Sequence, residues 1–490
     1  MKKFTLFFLL GILLFAGSQS LIAQPDTLTI LHFNDTHSNL APLGPRNQDL
    51  SGTRGGMARA ATLIGMTKMT EPNVLTLHAG DVFIGDLFFN VYYGAASFQL
   101  MNALGFDAMT LGNHEFDLQP TTLEQALAAS FAPDSGFSIL SANLFIPPDT
   151  LQTLAGYVAP FTIKQAGNIK VGIFGMTTPS TNVLSMPAPA VIDTNIIDVV
   201  ISMVDTLAKQ NCDVIVMLSH LGFYLDQTVA ENIPGINVIV SGHDHFLFDQ
   251  PLEVKNPLNK NTWIVQTGAF NQFVGKMQLS VENDTVDLLQ YQAIPLDGNV
   301  PEEPTVKAQV DGMIAEIEAT YGALYSQQIG TLTKTYSEFA DSLTEDGEHD
   351  TPVGNLVSDA FRLTMGTDIG IEPGGSTAQP LYEGPIVPAD IFRTVGYGFN
   401  TVNGLGYRIV TFDIVGADLY AGLEFGLTES SPIAFELSSN SGMGPYPSPP
   451  ILIDFTSLLF TNSVRLDMLN STVIYLPNLL LTLMFFVAVN

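Results

Sequence analysis

Cations are scarce in this chain. Against 48 Asp and Glu, its 490 residues carry only 18 Lys and Arg, a formal net charge of −30. That balance excludes a nucleic-acid-binding surface, because affinity for a polyanion rests on Lys and Arg neutralising phosphates. No lysine follows Lys334, and the only arginines beyond it are Arg362, Arg393, Arg408 and Arg465. Cysteine is nearly absent too. The single Cys212 opens an apolar run, which excludes an intramolecular disulfide and leaves a buried thiol as the expectation. No internal repeat occurs.

What is present argues for an exported, two-domain protein. The chain exceeds the length at which one hydrophobic core usually suffices. Met1-Lys2-Lys3, then Phe4 to Ala16 and a run of small residues, form a signal-peptide pattern over 1–23 whose apolar segment is too short to span a bilayer comfortably. A periplasmic or extracellular location follows from that leader. Pro301-Glu302-Glu303-Pro304 breaks the chain, and the spacing of Val306, Val310, Ile314, Ile317 and Tyr321 predicts an amphipathic helix. The expected organisation is therefore a first domain over 26–300, a connecting helix over 301–326, and a smaller domain over 327–444 with helix at Ala417 to Phe425. An atypical apolar tail occupies 445–490, with Asp454, Arg465 and Asp467 as its only charges. It admits three readings: a membrane anchor, which Pro477-Asn478 and the lack of basic flanks disfavour; a buried core segment; or, the favoured one, a stretch that does not encode an original domain end, as after a reading-frame change.

Histidine is also rare, with eight in the chain, and five of them fall in short segments of one kind. Asp35-Thr36-His37, Gly80-Asp81, Gly112-Asn113-His114-Glu115, Ser219-His220 and Gly242-His243-Asp244-His245 each follow a run rich in Val, Ile and Leu. Such runs, ending at Gly, Asn, Asp or Ser, read as buried strands. The ligand-type residues then sit at the carboxyl ends of strands, where residues distant in sequence converge. His32 and His78 lie inside the apolar runs and read as packed or supporting histidines; His349 lies in an acidic loop.

Imidazole, carboxylate and amide oxygen together suit borderline divalent ions such as zinc, manganese or iron. Two such ions about 3.5 to 4 Å apart can clamp the attacking and leaving oxygens of an in-line displacement, with a hydroxide held between them as the nucleophile. The expected sets are Asp35, His37 and His245 on one ion and Asn113, His220 and His243 on the other, with Asp81 bridging. Two ions leave about two positive charges in excess of the ligand carboxylates, enough to dock a phosphate dianion. His114 reads as catalytic, its ring oriented by Asp117 three positions on, so that it stabilises transferred charge or protonates the leaving oxygen. Glu115 reads as supporting.

The ordered motifs HFNDTH, HAGDVF, LGNHEFD, SHLGF and SGHDH resemble those of the 5'-nucleotidase family of metallophosphoesterases over Leu28 to about Phe270. Thr351 to Ala360 is similar to the start of that family's C-terminal substrate-binding domain. The resemblance implies an α/β fold, a four-layer αββα sandwich followed by a smaller α+β domain that supplies the nucleoside site. It also implies two divalent ions, supports the ligand sets above, and points to a small nucleotide substrate.

The departures are as informative. Where the family carries a glycine-rich loop ending in a phosphate-gripping arginine, this chain has Glu372-Pro373-Gly374-Gly375-Ser376-Thr377, so Gly374 and Gly375 are retained and the arginine is not. Gly396-Tyr397-Gly398-Phe399-Asn400 is a loose counterpart of the segment that presents an aromatic ring to the base. Arg393 and Arg408 flank this region and are the candidates for holding an anion. The expected function is hydrolysis of nucleoside 5'-monophosphates. Cyclic nucleotides, UDP-sugars or sulfur esters on the same metal core form one alternative, and a non-catalytic nucleotide-binding protein the other.

Overall fold

The computed structural model describes residues 26–282, 285–338, 351–373, 376–399, 406, 409–426 and 435–439. The leader, His349, Gly374, Gly375, Arg408 and the tail after 444 lie outside the described residues.

Two sheets face each other in the first half of the chain. One runs in the order Thr285–Pro295, Phe273–Glu282, Asp26–Phe33, Val74–His78, Ala108–Thr110, Ser138–Leu140, Val158–Ala159. The other runs Leu252–Lys255, Asn261–Val265, Val238–Ser241, Val214–His220, Ile169–Thr177, Phe161–Ala166. Their central strands are parallel, with Phe33 beside His78 and Ser219 beside Ser241, so the carboxyl ends lie level. Alternate residues face opposite sides of a strand, and here both sides are buried, which accounts for the uninterrupted apolar runs. Leu28, Ile30, Val214, Val216, Val238 and Trp263 fill the space between the sheets. Leu31 and Phe33 on one sheet, and Ile215 and Met217 on the other, face outward into helices. The helix Ile196–Lys209 covers the second sheet with Ile196, Val200, Val204 and Leu207, a repeat of four and three. The result is a four-layer αββα sandwich.

The helix Pro304–Tyr321 starts where the proline break predicts. Pro304 occupies its first turn, and the Glu303 side chain accepts from the Val306 amide at 2.7 Å. It buries Val306, Val310 and Ile317 in the core of the first domain. Beyond it, the helix Pro352–Met365 is capped by Thr351, whose side chain accepts from the Gly354 amide, and ends at the left-handed Gly366. Val353, Val357 and Phe361 from this helix pack with Leu381, Ile386, Ile391 and Val395 to form a separate small core. The helix Gly416–Gly426 spans the predicted segment. Among the described residues, no helix is long and apolar enough to cross a membrane.

Candidate metal centre

All five histidine and aspartate segments meet at the carboxyl edge shared by the two sheets. The first sheet delivers Asp35, His37, Asp81, Asn113 and His114 from the turns after three neighbouring strands; the second delivers His220, His243 and His245. Each chain turns back sharply on leaving its strand. Asp35, His37, Asp81, His243 and His245 all have positive φ, between 46° and 81°, a left-handed conformation that costs a non-glycine residue about 1–2 kcal/mol. Glycine is required where these turns touch: a Cβ on Gly80 would lie 2.7 Å from the Gly112 nitrogen and 2.8 Å from His220 Nδ1.

The donors form two groups, Asp35 with His37 and His245, and Asp81 with His220 and His243. Within each group the ligand atoms lie within 4.8 Å of one another. Backbone and amide contacts fix the rings and carboxylates. His220 Nδ1 donates to the Ala79 carbonyl at 2.7 Å and His37 Nδ1 to the Phe83 carbonyl at 3.1 Å, which turns each Nε2 inward. Asp35 accepts from Asn34 Nδ2 at 2.7 Å and from the His243 amide at 3.0 Å. His37 Nε2 and His245 Nε2 approach to 3.1 Å, and Asn113 Oδ1 is buried without a hydrogen-bond partner among the described residues. His220 Nε2 stands 2.9 Å from Asp81 Oδ2 without hydrogen-bond alignment. Converging lone pairs and an orphaned amide oxygen fit a pair of cations.

The electrostatics agree. Burial pushes His245 down to about 3 and His243 down to about 4, so both present neutral imidazoles. Burial also opposes charge on His220, but Asp81 and Asp35 outweigh it and carry the ring up to about 10, a field that favours a cation at Nε2, whether proton or metal. Glu115 does not reach the donors. Its buried carboxylate accepts from the amides of Gly112, Asp81, Val82 and Phe83.

His114 and Asp117 form a contact of their own, Nδ1 to Oδ2 at 2.5 Å. Burial lowers the His114 ring, but the Asp117 and Asp81 charges outweigh it and raise it to about 9. Ser185 Oγ donates to the other Asp117 oxygen at 2.8 Å. His78 supports the array, its Nε2 3.0 Å from Thr36 Oγ1 and its Nδ1 accepting from the Gly80 amide. His32 stacks on Tyr291.

Arg393 has a different setting from the anion-holding one expected of it. Its side chain is 2% exposed, with Nε donating to Asp86 at 2.5 Å, Nη1 to Asp390 at 3.4 Å, and the guanidinium over the Tyr325 ring. Arg46 grips the same Asp390 through two hydrogen bonds of 2.7 Å. The charge is matched by two carboxylates at the junction of the two domains. The second domain instead sends Tyr397 to the metal face. Its ring stacks on His114 at 5.2 Å and 19°, and lies 4.9 Å from His37. Burial foremost, then Asp35 and Asp81, push its phenol well above the usual value. Sequence reasoning had only the loose match of the glycine-rich segment to point to it.

Comparison with known proteins extends these observations. Residues 28–247 match the calcineurin-like phosphoesterase family, and residues 328–448 the 5'-nucleotidase C-terminal domain. The chain is 32% identical over 375 residues to a snake venom 5'-nucleotidase of Gloydius brevicauda, covering 72% of this chain and 61% of that protein. It is 32% identical over 351 residues to the 5'-nucleotidase of Homo sapiens, covering 68% and 59%. It thus spans about three fifths of the length of the curated relatives it matches. A crystal structure of a 5'-nucleotidase precursor from Thermus thermophilus superposes with a TM-score of 0.71 at 30% identity, over 84% of this chain and 81% of that one. With both domains matched in order, and with two candidate donor groups that suit a pair of divalent ions, the chain belongs to the 5'-nucleotidase family of metallophosphoesterases.

Proposed function

We propose that the protein is an exported, metal-dependent phosphoesterase that hydrolyses nucleoside 5'-monophosphates to nucleoside and phosphate. One observation carries this reading: two groups of metal donors lie side by side, with the His114 imidazole, held through Nδ1 by Asp117, beside them. The relatives' names, all 5'-nucleotidases among those described above, support the nucleotide as substrate. The leader pattern supports export.

Asp35, His37 and His245 would hold one ion and Asn113, His220 and His243 the other, with Asp81 between the two groups. Bound there, the ions would supply positive charge for the phosphate and lower the pKa of water to near neutrality. The chain's own residues do the rest. The phosphoryl group sits between the donor groups and His114. His114, held in the imidazolium form through Nδ1 by Asp117, carries a proton on Nε2. As the bond between phosphorus and the ester oxygen breaks, that proton passes to the leaving alkoxide, and the nucleoside departs as an alcohol. The oxygen gained by phosphorus comes from water, so the products balance as nucleoside and inorganic phosphate.

The test uses the full chain with manganese or zinc against p-nitrophenyl phosphate, nucleoside monophosphates, UDP-sugars and 2',3'-cyclic nucleotides. Metal-dependent turnover that is highest on the monophosphates and abolished by Asp81→Ala is the expected result. Nucleotide binding without any turnover would establish the non-catalytic alternative. Turnover confined to cyclic nucleotides or UDP-sugars would move the substrate assignment and leave the metal chemistry intact.

A further inference from the structure

We infer that Tyr397 is a substrate-contacting residue whose hydroxyl donates a hydrogen bond to a non-bridging oxygen of the phosphoryl group. The inference rests on the phosphoesterase reading above and adds to it a residue from the second domain.

Three observations carry it. First, the phenol is surrounded by the reaction centre. Ring centroids lie 4.9 Å away for His37, 5.2 Å for His114 and 6.5 Å for His245, two of them proposed metal ligands and the third the proposed proton donor. Second, the hydroxyl is buried and has no hydrogen-bond partner among the described residues. A buried, unpaired hydroxyl costs free energy, and this one stands beside the reaction centre, where a ligand oxygen can meet it. Third, the domain junction fixes the segment that leads into the ring. The Gly396 carbonyl accepts from the Gly85 amide at 3.0 Å, and a Cβ on Gly396 would fall 2.3 Å from the Gly85 oxygen. One residue on in the first domain, Asp86 takes the Arg393 guanidinium. Tyr397 is thereby held against the metal face by a backbone bond and a buried ion pair only a few residues away.

The chemistry explains why such a donor is needed. A phosphate monoester presents non-bridging oxygens that accept hydrogen bonds, and charge-assisted donors there are the strong ones. The side chain that would otherwise serve, Arg393, is held at the domain junction, Nε by Asp86 and Nη1 by Asp390, with Nη2 buried and without a partner among the described residues. A neutral phenol adds a donor without the desolvation cost of a second buried cation. A contact to the phosphoryl group is also indifferent to the leaving group, which separates this role from stacking on a nucleobase.

The experiment compares wild type with Tyr397→Phe, which removes only the hydroxyl and keeps the ring on His114. Both are manganese-loaded, with metal content checked by native mass spectrometry. A hydrogen bond to a charged oxygen corresponds to about a ten- to hundred-fold effect. The expected result is a loss of kcat/KM of that size, equal on p-nitrophenyl phosphate and on a nucleoside monophosphate, together with weaker binding of inorganic phosphate by calorimetry. Unchanged kcat/KM and phosphate affinity in Tyr397→Phe overturn the inference, as does a defect seen only in Tyr397→Ala, which would assign the effect to the ring. A loss on the nucleotide but not on p-nitrophenyl phosphate overturns it in favour of base contact. If wild type turns over nothing, the phosphoesterase reading fails, and phosphate binding alone decides: weaker binding in Tyr397→Phe upholds the contact, and equal or absent binding overturns it.

Discussion

The Glu115 carboxylate accepts the backbone amide of Asp81 at 3.1 Å, and with it the amides of Val82 at 2.7 Å, Phe83 at 3.2 Å and Gly112 at 2.6 Å. One buried side chain thus ties the turn that carries the proposed bridging ligand to the turn that carries Asn113 and His114. Burial, then the nearby Asp81 charge, raise Glu115 to about 7, against the amides of Val82 and Gly112, which favour the ionised form.

Glu115→Gln replaces an acceptor oxygen with an amide nitrogen that faces backbone N–H groups. Groups that orient metal ligands from behind typically contribute about 10- to 100-fold in metal affinity or activity. Manganese titration of Glu115→Gln followed by electron paramagnetic resonance is expected to show a loss in that range. Affinity equal to wild type would mean that the Asp81 turn holds its shape without Glu115.

The proposed roles of His114 and Asp117 separate in a pH profile. Protonated His114 is the active form, so the rate falls as pH rises through its pKa. Bound divalent ions neutralise Asp81, one of the charges that raise the ring to about 9, and so move that limb below 9. Asp117→Asn removes a second such charge, and the basic limb of kcat against pH is expected to shift further toward acid. His114→Asn is expected to lower kcat about 10²- to 10⁴-fold with metal content unchanged. A basic limb at the same pH in Asp117→Asn and wild type would remove His114 from the titration.

Much of the site could be read from the sequence because its logic is local. A strand buried on both faces gives an unbroken apolar run such as Val214 to Leu218, and the first polar residues after it necessarily emerge at the sheet's edge. Five such edges, each with His, Asp or Asn, mark a centre without any knowledge of how the sheets pack. The domain junction has no local signature of this kind. Arg393 lies 307 residues from its partner Asp86, and nothing near either residue in sequence records the pairing. An arginine in a cation-poor domain therefore looks available for a substrate when its charge is already matched. Tyr397 is obscured for the same reason, since its place over His114 depends on how the second domain docks.

Metal binding is expected to release protons. In the metal-free protein His220 is held up to about 10, against burial, by Asp81 and Asp35, so it is protonated at neutral pH. Asp35 is raised to about 7, foremost by burial, and is partly protonated there. A metal ion must displace these protons. Between pH 7 and 9, where Asp35 is increasingly ionised, about one proton leaves per His220-bound ion, and metal affinity rises about tenfold per pH unit. Below pH 7, proton release by Asp35 makes the dependence steeper. Calorimetric titration of manganese in buffers of different ionisation enthalpy measures the number directly. Uptake or no exchange of protons at pH 8 would mean that His220 binds metal from a neutral state.

Arg393 and Asp86 supply the last prediction, which separates a structural ion pair from a substrate contact. The pair is buried, with side chains 2% and 0% exposed, and Tyr325 Oη donates to the second Asp86 oxygen at 2.7 Å. Arg393→Met leaves Asp86 buried with the phenol but without a cation, and breaking such a pair from one side costs about 3–5 kcal/mol. The unfolding midpoint in urea should fall accordingly. Arg393→Met combined with Asp86→Asn removes the stranded charge, and should recover part of the loss, whereas Asp390 keeps its two bonds from Arg46 in both variants. The opposite pattern, an unchanged midpoint with a raised KM for p-nitrophenyl phosphate, would mean that the guanidinium leaves Asp86 to meet the substrate. The double variant then provides the decisive comparison. If Arg393 acts only through the fold, restoring stability restores KM; if it grips phosphate, KM stays high however stable the protein becomes.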